Sequence, residues 1–241
     1  IVEEFAKTLE RELDYTIEAT NMERVSREFL QDPTVYIPKV YRETTTSRVL
    51  TTELIKGIKV SKLDLLDQGD YDRKTITFRG AHVCLSQIFD HGFFHADPHP
   101  GNIFVLPGNV ICLLDFGMVG TIDRNTRENF VELVDSIVRK DETRAAGCLL
   151  KITSWDDEPN MRSFEKDVAE FIGQHLYKPL KEIELGKLLQ HLLELSARHR
   201  LRIYPDIFLM MKALSTVESV ACRLDPDFDM LQHAEPFIKK I

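Results

Sequence analysis

Two polar clusters at the ends of short apolar strands constrain this chain more than any other feature. Ile103-Phe104-Val105-Leu106 and Val110-Ile111-Cys112-Leu113-Leu114 flank Pro107-Gly108-Asn109, a turn-forming triplet, and read as two strands around a tight turn. Before the first strand lies His95-Ala96-Asp97-Pro98-His99-Pro100-Gly101-Asn102, too rich in Pro, Gly and His for either regular element. The second strand ends in Asp115-Phe116-Gly117, where the glycine lets the backbone swing away. Asp97 and Asn102 stand five apart on one loop, and Asp115 follows Asn102 by thirteen residues. An acid, an amide and a second acid on loops at strand ends make a cage for a hard cation. Mg²⁺ prefers oxygen ligands and takes one or two carboxylates, with substrate phosphates completing its shell.

The rest of the chain is read around these clusters. Val2, Phe5, Leu9, Leu13 and Ile17 recur at helical spacing, which predicts a helix from Val2 to about Leu30, stopped by Asp32-Pro33. Val35 to Tyr41 and Ser47 to Thr52 are β-rich runs and predict a two-stranded hairpin or meander. A helix is expected from about Thr75 to Phe89, and everything after Asp123 reads as helical. Leu185, Leu188, Leu189, Leu192 and Leu193 form one stripe; Ile207, Met211, Leu214, Val217 and Ala221 form another, opened by Pro205-Asp206 and stopped by Asp225-Pro226. Both stripes read as core. The four cysteines are far apart, which suits buried reduced thiols rather than a zinc site or a disulfide framework. A net charge of −8 argues against nucleic acid as a partner. No run approaches the roughly 20 apolar residues of a membrane span, since Ile207-Phe208-Leu209-Met210-Met211 is stopped by Lys212. Lys239-Lys240 is too short a basic run to argue for membrane binding.

Asp-Phe-Gly alone is a weak signal, and Asp-x-x-x-x-Asn is weaker. Together, in this order, with His two residues before the first Asp, they match the protein-kinase set of catalytic-loop Asp, Asn and the Asp of Asp-Phe-Gly. Phe94-His95-Ala96-Asp97-Pro98-His99-Pro100-Gly101-Asn102 with Leu114-Asp115-Phe116-Gly117-Met118-Val119-Gly120 resembles the UbiB/ADCK family of atypical, protein-kinase-like proteins. Glu12-Leu13-Asp14-Tyr15, with Glu18-Ala19, looks like that family's Glu-x-Asp segment, and Arg48 to Gly57 looks like its hinge strand.

The resemblance implies an α+β, protein-kinase-like fold: mostly the helical C-lobe, a partial N-lobe of one helix and two strands, and a C-terminal helical extension. Residues 1–56 would be the partial N-lobe, 57–155 the C-lobe core and 156–241 the helical region. Asp97 would position or deprotonate the attacking group, and Asn102 and Asp115 would hold Mg²⁺ against the ATP phosphates. Glu18 would be the helix-C glutamate that pairs with the ATP-phosphate lysine. The backbone of Glu53, Leu54 and Ile55 would meet adenine. Glu12 and Asp14 would lie on the same helix as Glu18 and face an N-terminal Lys-x-Gly-Gln helix. Family members support ubiquinone biosynthesis through an ATPase activity coupled to lipid handling. Their partners would be lipid or quinone precursors and other biosynthetic proteins, on the cytoplasmic side of the bacterial inner membrane or in mitochondria.

Departures from ordinary protein kinases narrow the chemistry. Ala96 replaces the Arg that clamps a phosphorylated activation loop, and His99 stands where a Lys is common two residues after the catalytic Asp. No Ala-Pro-Glu follows Asp-Phe-Gly. These favour ATP hydrolysis or small-molecule phosphoryl chemistry over protein phosphorylation. The chain opens at Ile1 inside a helical pattern and reads as a fragment, with the lysine strand and Ala-rich nucleotide loop expected upstream. By itself it is expected to turn over Mg-ATP poorly or not at all. Two other readings stand beside this one. One is a nucleotide-binding regulatory scaffold without turnover; the other is a hydrolase with a His95, Asp97 and His99 metal triad, for which His82 and His91 are further candidate ligands. His95 is expected to pack under the catalytic loop, and His191 and His199 to sit within the leucine-striped helix.

Overall fold

The computed structural model describes residues 14–176 and 185–240. Helix α1 (Tyr15–Glu28) starts at Asp14, an extended residue whose carboxylate accepts from the Thr16 N–H at 2.9 Å. Asp14 is therefore the cap of this helix and not a residue of its face, as the sequence suggested. Its bonds to Thr16 hold its carboxyl below the usual range. Val2 to Leu13, with Glu12, lie outside the described residues. α1 buries Ala19, Met22 and Val25.

The expected pairing of the two β-rich runs is present only as isolated antiparallel bridges, Val40 with Thr52 and Thr46 with Val49. β1 (Val35–Tyr36) itself pairs with neither neighbour in sequence but lies parallel to the distant strand Val110–Leu113, Val35 opposite Ile111. The chain from Lys39 to Glu53 does double back, through Glu53 N–H to Lys39 O at 2.8 Å and Tyr41 N–H to Thr51 O at 2.9 Å. Its middle is a 3₁₀ turn, Arg42–Thr44. The Thr45 and Thr51 hydroxyls bond the carbonyls of Tyr41 and Thr44, offering the backbone an alternative to a strand ladder.

β2 (Ile58–Lys59), β4 (Ile103–Leu106) and β5 (Val110–Leu113) complete a four-stranded sheet in the order β1-β5-β4-β2. The β4–β5 turn matches the sequence reading, with Gly108 and Asn109 at φ +76° and +60°. Between β2 and β4 come α2 (Leu63–Gln68) and α3 (Arg73–Ser86), the latter capped by Asp72. α3 continues into a π-helical turn, Gln87–His91, closed by Gly92 at φ +66°. Arg79 of α3 donates to the Gly108 and Asn109 carbonyls, tying the β-turn to the helical body. Phe93–His95, taken as irregular in part, is strand β3. It pairs antiparallel with β6 (Val119–Thr121).

The helical remainder comprises α4 (Arg124–Val138), α5 (Glu142–Lys151), α6 (Met161–Leu176), α7 (Leu185–Arg198), α8 (Pro205–Leu224) and α9 (Met230–Ile238). It also contains β7 (Thr153–Ser154) against β8 (Arg202–Ile203), a two-residue ribbon in a region read as wholly helical. Ile207, Met211, Leu214, Val217 and Ala221 are buried in α8 as their periodicity requires. His199 lies just past the end of α7, with its ring 2.9 Å from Asp167. Cys84, Cys112 and Cys148 are buried free thiols, whereas Cys222 is exposed, against expectation.

Candidate active site

The two polar loops are pinned to each other at both ends. On one side, β3 and β6 align His95 with Val119, and the pairing continues through Ala96 N–H to Met118 O at 3.0 Å. On the other, β4 and β5 align Ile103 with Leu113, extended by Leu114 N–H to Asn102 O at 2.8 Å. The residues between these clamps, 97–101 and 115–117, have little freedom to part.

Close packing fixes the β3–β6 side. A Cβ on Gly120 would stand 2.2 Å from Phe94 Cζ, so only glycine lets the ribbon sit flat on that ring. His95 is 2% exposed and stacks 5.2 Å from the Phe116 ring. Its Nδ1 accepts the Asp97 N–H at 3.3 Å, so the ring carries its proton on Nε2. Burial holds its pKa below the ordinary histidine value, which keeps it neutral. His95 is thus a buried support of the loop.

The Asp97 loop closes on itself. His99 N–H donates to Asp97 O at 2.7 Å, Asn102 N–H to His99 O at 2.8 Å, and Gly101 N–H to His99 Nδ1 at 3.1 Å. His99 is turned back onto its own loop and His95 is in the core. Among the described residues no three His, Cys, Asp or Glu side chains converge on a metal position, so the His95, Asp97 and His99 triad is not assembled.

Asp115 takes φ +60°, a left-handed conformation that aspartate tolerates better than most residues. The other non-glycine residues with positive φ are Asn109 in the hairpin turn and Lys140 and Arg200 just past helix ends. Among the described residues, Asp115 is the one of these that lies in the two polar loops. Its Oδ1 accepts from Gly117 N–H at 3.3 Å, and its Oδ2 faces Asn102 Nδ2 at 3.4 Å. Helix α1 bonds both backbone polar groups of the next residue, Phe116. Glu18 Oε1 accepts Phe116 N–H at 3.1 Å, and Asn21 Nδ2 donates to Phe116 O at 3.0 Å. Burial first, and the Asp115 charge second, push the Glu18 carboxyl above its usual range. Asn21 escaped the sequence reading. Its place one turn after Glu18 was the available signal.

A second contact reaches the site from far along the chain. Lys212 Nζ of α8 lies 3.7 Å from Asp97 Oδ1. At the expected hinge, Glu53 N–H is already bonded to Lys39 O, and the Glu53 carboxylate accepts from Tyr36 OH and Lys39 N–H. The Tyr36 bond pushes that phenol up to about 12. The Glu53 carbonyl and the backbone of Leu54 and Ile55 carry none of these bonds, and Leu54 is 82% exposed.

Asn102 and Asp115 suit a hard cation on their own chemistry. The carboxylate supplies oxygen, and the Asn102 amide presents its oxygen to the same point when turned over. No helix among the described residues is long and apolar enough to cross a membrane.

The chain is similar to several known proteins. Residues 1–149 match the ABC1 atypical kinase-like domain, and residues 168–229 match the UbiB helical domain. A protein of Synechocystis, sll1770, described as uncharacterized, is 33% identical over the whole chain. Proteins named probable protein kinase UbiB are 31% identical in Histophilus somni, over 99% of this chain, and 32% in Cellvibrio japonicus, over all of it. The chain covers 41%, 45% and 44% of these three relatives, less than half the length of each. The solved structure of Rv3197 of Mycobacterium tuberculosis, a complex with erythromycin, superposes with a TM-score of 0.69 at 19% identity, over 98% of this chain and 61% of that one. The fold is therefore protein-kinase-like, and the chain belongs to the ABC1 family of atypical kinase-like proteins, with the UbiB helical domain following the kinase-like part.

Proposed function

We propose that this chain carries the catalytic centre of a UbiB-type atypical kinase or ATPase that uses Mg-ATP in support of ubiquinone biosynthesis. The observation that carries the reading is the opposition of Asn102 and Asp115 at 3.4 Å, on a loop pair clamped at both ends. Asn102 and Asp115 would hold Mg²⁺, which when bound neutralises the charge that develops on the phosphates. Asp97, 42% exposed at the side chain, orients the attacking group and takes its proton. Glu18 holds the Phe116 peptide and offers its second oxygen to the lysine that binds ATP phosphates. Glu53, Leu54 and Ile55 form the adenine edge. Asp14 caps the helix that delivers Glu18, and Glu12 belongs to the same Glu-x-Asp segment. On this reading residues 1–56 belong to the N-lobe, 57–155 to the C-lobe core and 156–241 to the helical region. Quinone or lipid precursors and other biosynthetic proteins are its partners, and the intact protein works at the membrane.

The test compares ATP binding with ATP hydrolysis in the intact protein carrying Asp97→Asn. The enzyme reading expects unchanged binding and hydrolysis lowered about 100-fold or more. Unchanged hydrolysis overturns it. A parent that binds ATP without turnover makes the protein a nucleotide-regulated scaffold instead.

A further inference from the structure

We propose that Lys212, delivered by helix α8 from the helical domain, is a second phosphate-binding cation of this site, beside the lysine that pairs with Glu18, and supplies the charge that position 99 lacks. The inference rests on the reading of Asp97, Asn102 and Asp115 as a nucleotide site. Its carboxylates are Asp97 on one loop, Asp115 on the other, and Glu18, whose carboxyl feels the Asp115 charge. Among the described residues, Lys212 makes the one ion pair to any of them. A phosphoryl group in transfer spreads negative charge over its outer oxygens, and catalysis of such transfers depends on placing cations against that charge. Two residues after Asp97 the sequence offers His99, whose Nδ1 is taken by Gly101 N–H. The available ammonium arrives instead from more than a hundred residues downstream.

Its placement follows from the packing of α8. Met210, Met211, Ala213 and Leu214 around it are all buried, so the helix cannot rotate and the root of the Lys212 side chain is fixed. Lys212 is also the one charged residue between Asp206 and Glu218. The ion pair itself is a poor reason for the residue to be there. Both partners are 42% exposed at the side chain and 3.7 Å apart, a class of pair that contributes little to stability. A flexible stem carrying a compact charge with three donors suits a terminal phosphate, which needs no planar match. In the unliganded protein the ammonium rests on Asp97, and a terminal phosphate held beside Asp97 competes for it. Asp97 lies in the kinase-like part and Lys212 in the UbiB helical domain, so the two matched segments build one site.

The test is equilibrium binding of ATP and of ADP, each with Mg²⁺, to the intact protein and to Lys212→Met, Lys212→Arg and Asp115→Asn. Lys212→Met is expected to bind ADP like the parent and ATP about tenfold more weakly, the loss of one charge-assisted contact. Lys212→Arg recovers most of the difference, and all the Lys212 variants melt within about 2 °C of the parent. A parent-like ATP-to-ADP ratio in Lys212→Met, with Asp115→Asn impaired, overturns the assignment of Lys212 alone. Absent nucleotide binding, or binding that Asp115→Asn leaves unchanged, overturns the reading of the site as well.

Discussion

Replacing Gly120 with alanine tests whether the β3–β6 ribbon sets the spacing of the two loops. The added methyl would meet the Phe94 ring at 2.2, 2.6 and 2.8 Å, where carbon atoms normally rest about 3.5–4 Å apart. Phe94 is fully buried and has nowhere to turn, so the ribbon itself must shift by about 1 Å or more. Gly120 is not among the glycines at positive φ, so the cost is steric and not conformational. Overpacking of this kind costs about 3 kcal/mol, the upper end of the usual range, which for a chain this long is a fall in Tm of about 6–12 °C. Phe94→Leu alone costs about 1–2 kcal/mol through lost burial. Because it also removes the obstructing ring atoms, the double variant falls short of the sum by at least about 1 kcal/mol. Urea denaturation of the four proteins, followed by circular dichroism, measures the cycle. A Gly120→Ala cost below about 0.5 kcal/mol, or strict additivity with Phe94→Leu, refutes the steric argument.

Three further perturbations address the loops and the helices that hold them. Glu18 has a carboxyl raised above its ordinary value of 4.5, so its stabilising contribution is present below pH 4.5 and lost as pH rises through the folded value. Glu18→Gln keeps an acceptor for Phe116 N–H and is therefore expected to raise Tm at pH 7 and not at pH 4; an equal shift at both pH values contradicts this. His95 is expected to be neutral at pH 7 with its proton on Nε2, which nitrogen-resolved NMR of the ring reads directly; a charged ring or an Nδ1–H tautomer contradicts the Asp97 N–H contact. Asp115→Val is expected to destabilise the fold by about 1–2 kcal/mol more than Asp115→Asn, because a β-branched residue resists φ +60°. Equal thermal shifts for the two would contradict the left-handed backbone.

What was legible in the sequence was local. Pro107-Gly108-Asn109 announces the turn, and the loop that precedes Asn102 declares itself by the composition that keeps it irregular. The stripe of α8 reads directly as its buried face because helical spacing and burial share one period. The misreadings come from contacts between distant residues. Val35 and Tyr36 find β5, far along the chain, because the Thr-rich stretch beside them satisfies its own backbone. β3, β6, β7 and β8 are two or three residues long, below the length at which alternation can be seen. Asp14 looked like a helical residue because capping and helical positions share the same local sequence. Within the candidate site, Asn102 faces Asp115 and Glu18 bonds the Phe116 N–H, while Asp97 shares a loop with Asn102. Asn21 and Lys212 are visible only once α1 and α8 are packed against the loops.

The most direct test of the account is whether Asn102 and Asp115 bind a divalent cation together with nucleotide. Mn²⁺ titration of the intact protein by electron paramagnetic resonance, with and without ATP, measures this in the parent and in Asp115→Asn, Asn102→Ala and His99→Ala. The account predicts nucleotide-dependent Mn²⁺ binding that Asp115→Asn and Asn102→Ala each weaken about tenfold or more and that His99→Ala leaves intact. Binding that survives Asp115→Asn but is lost in His99→Ala would contradict it.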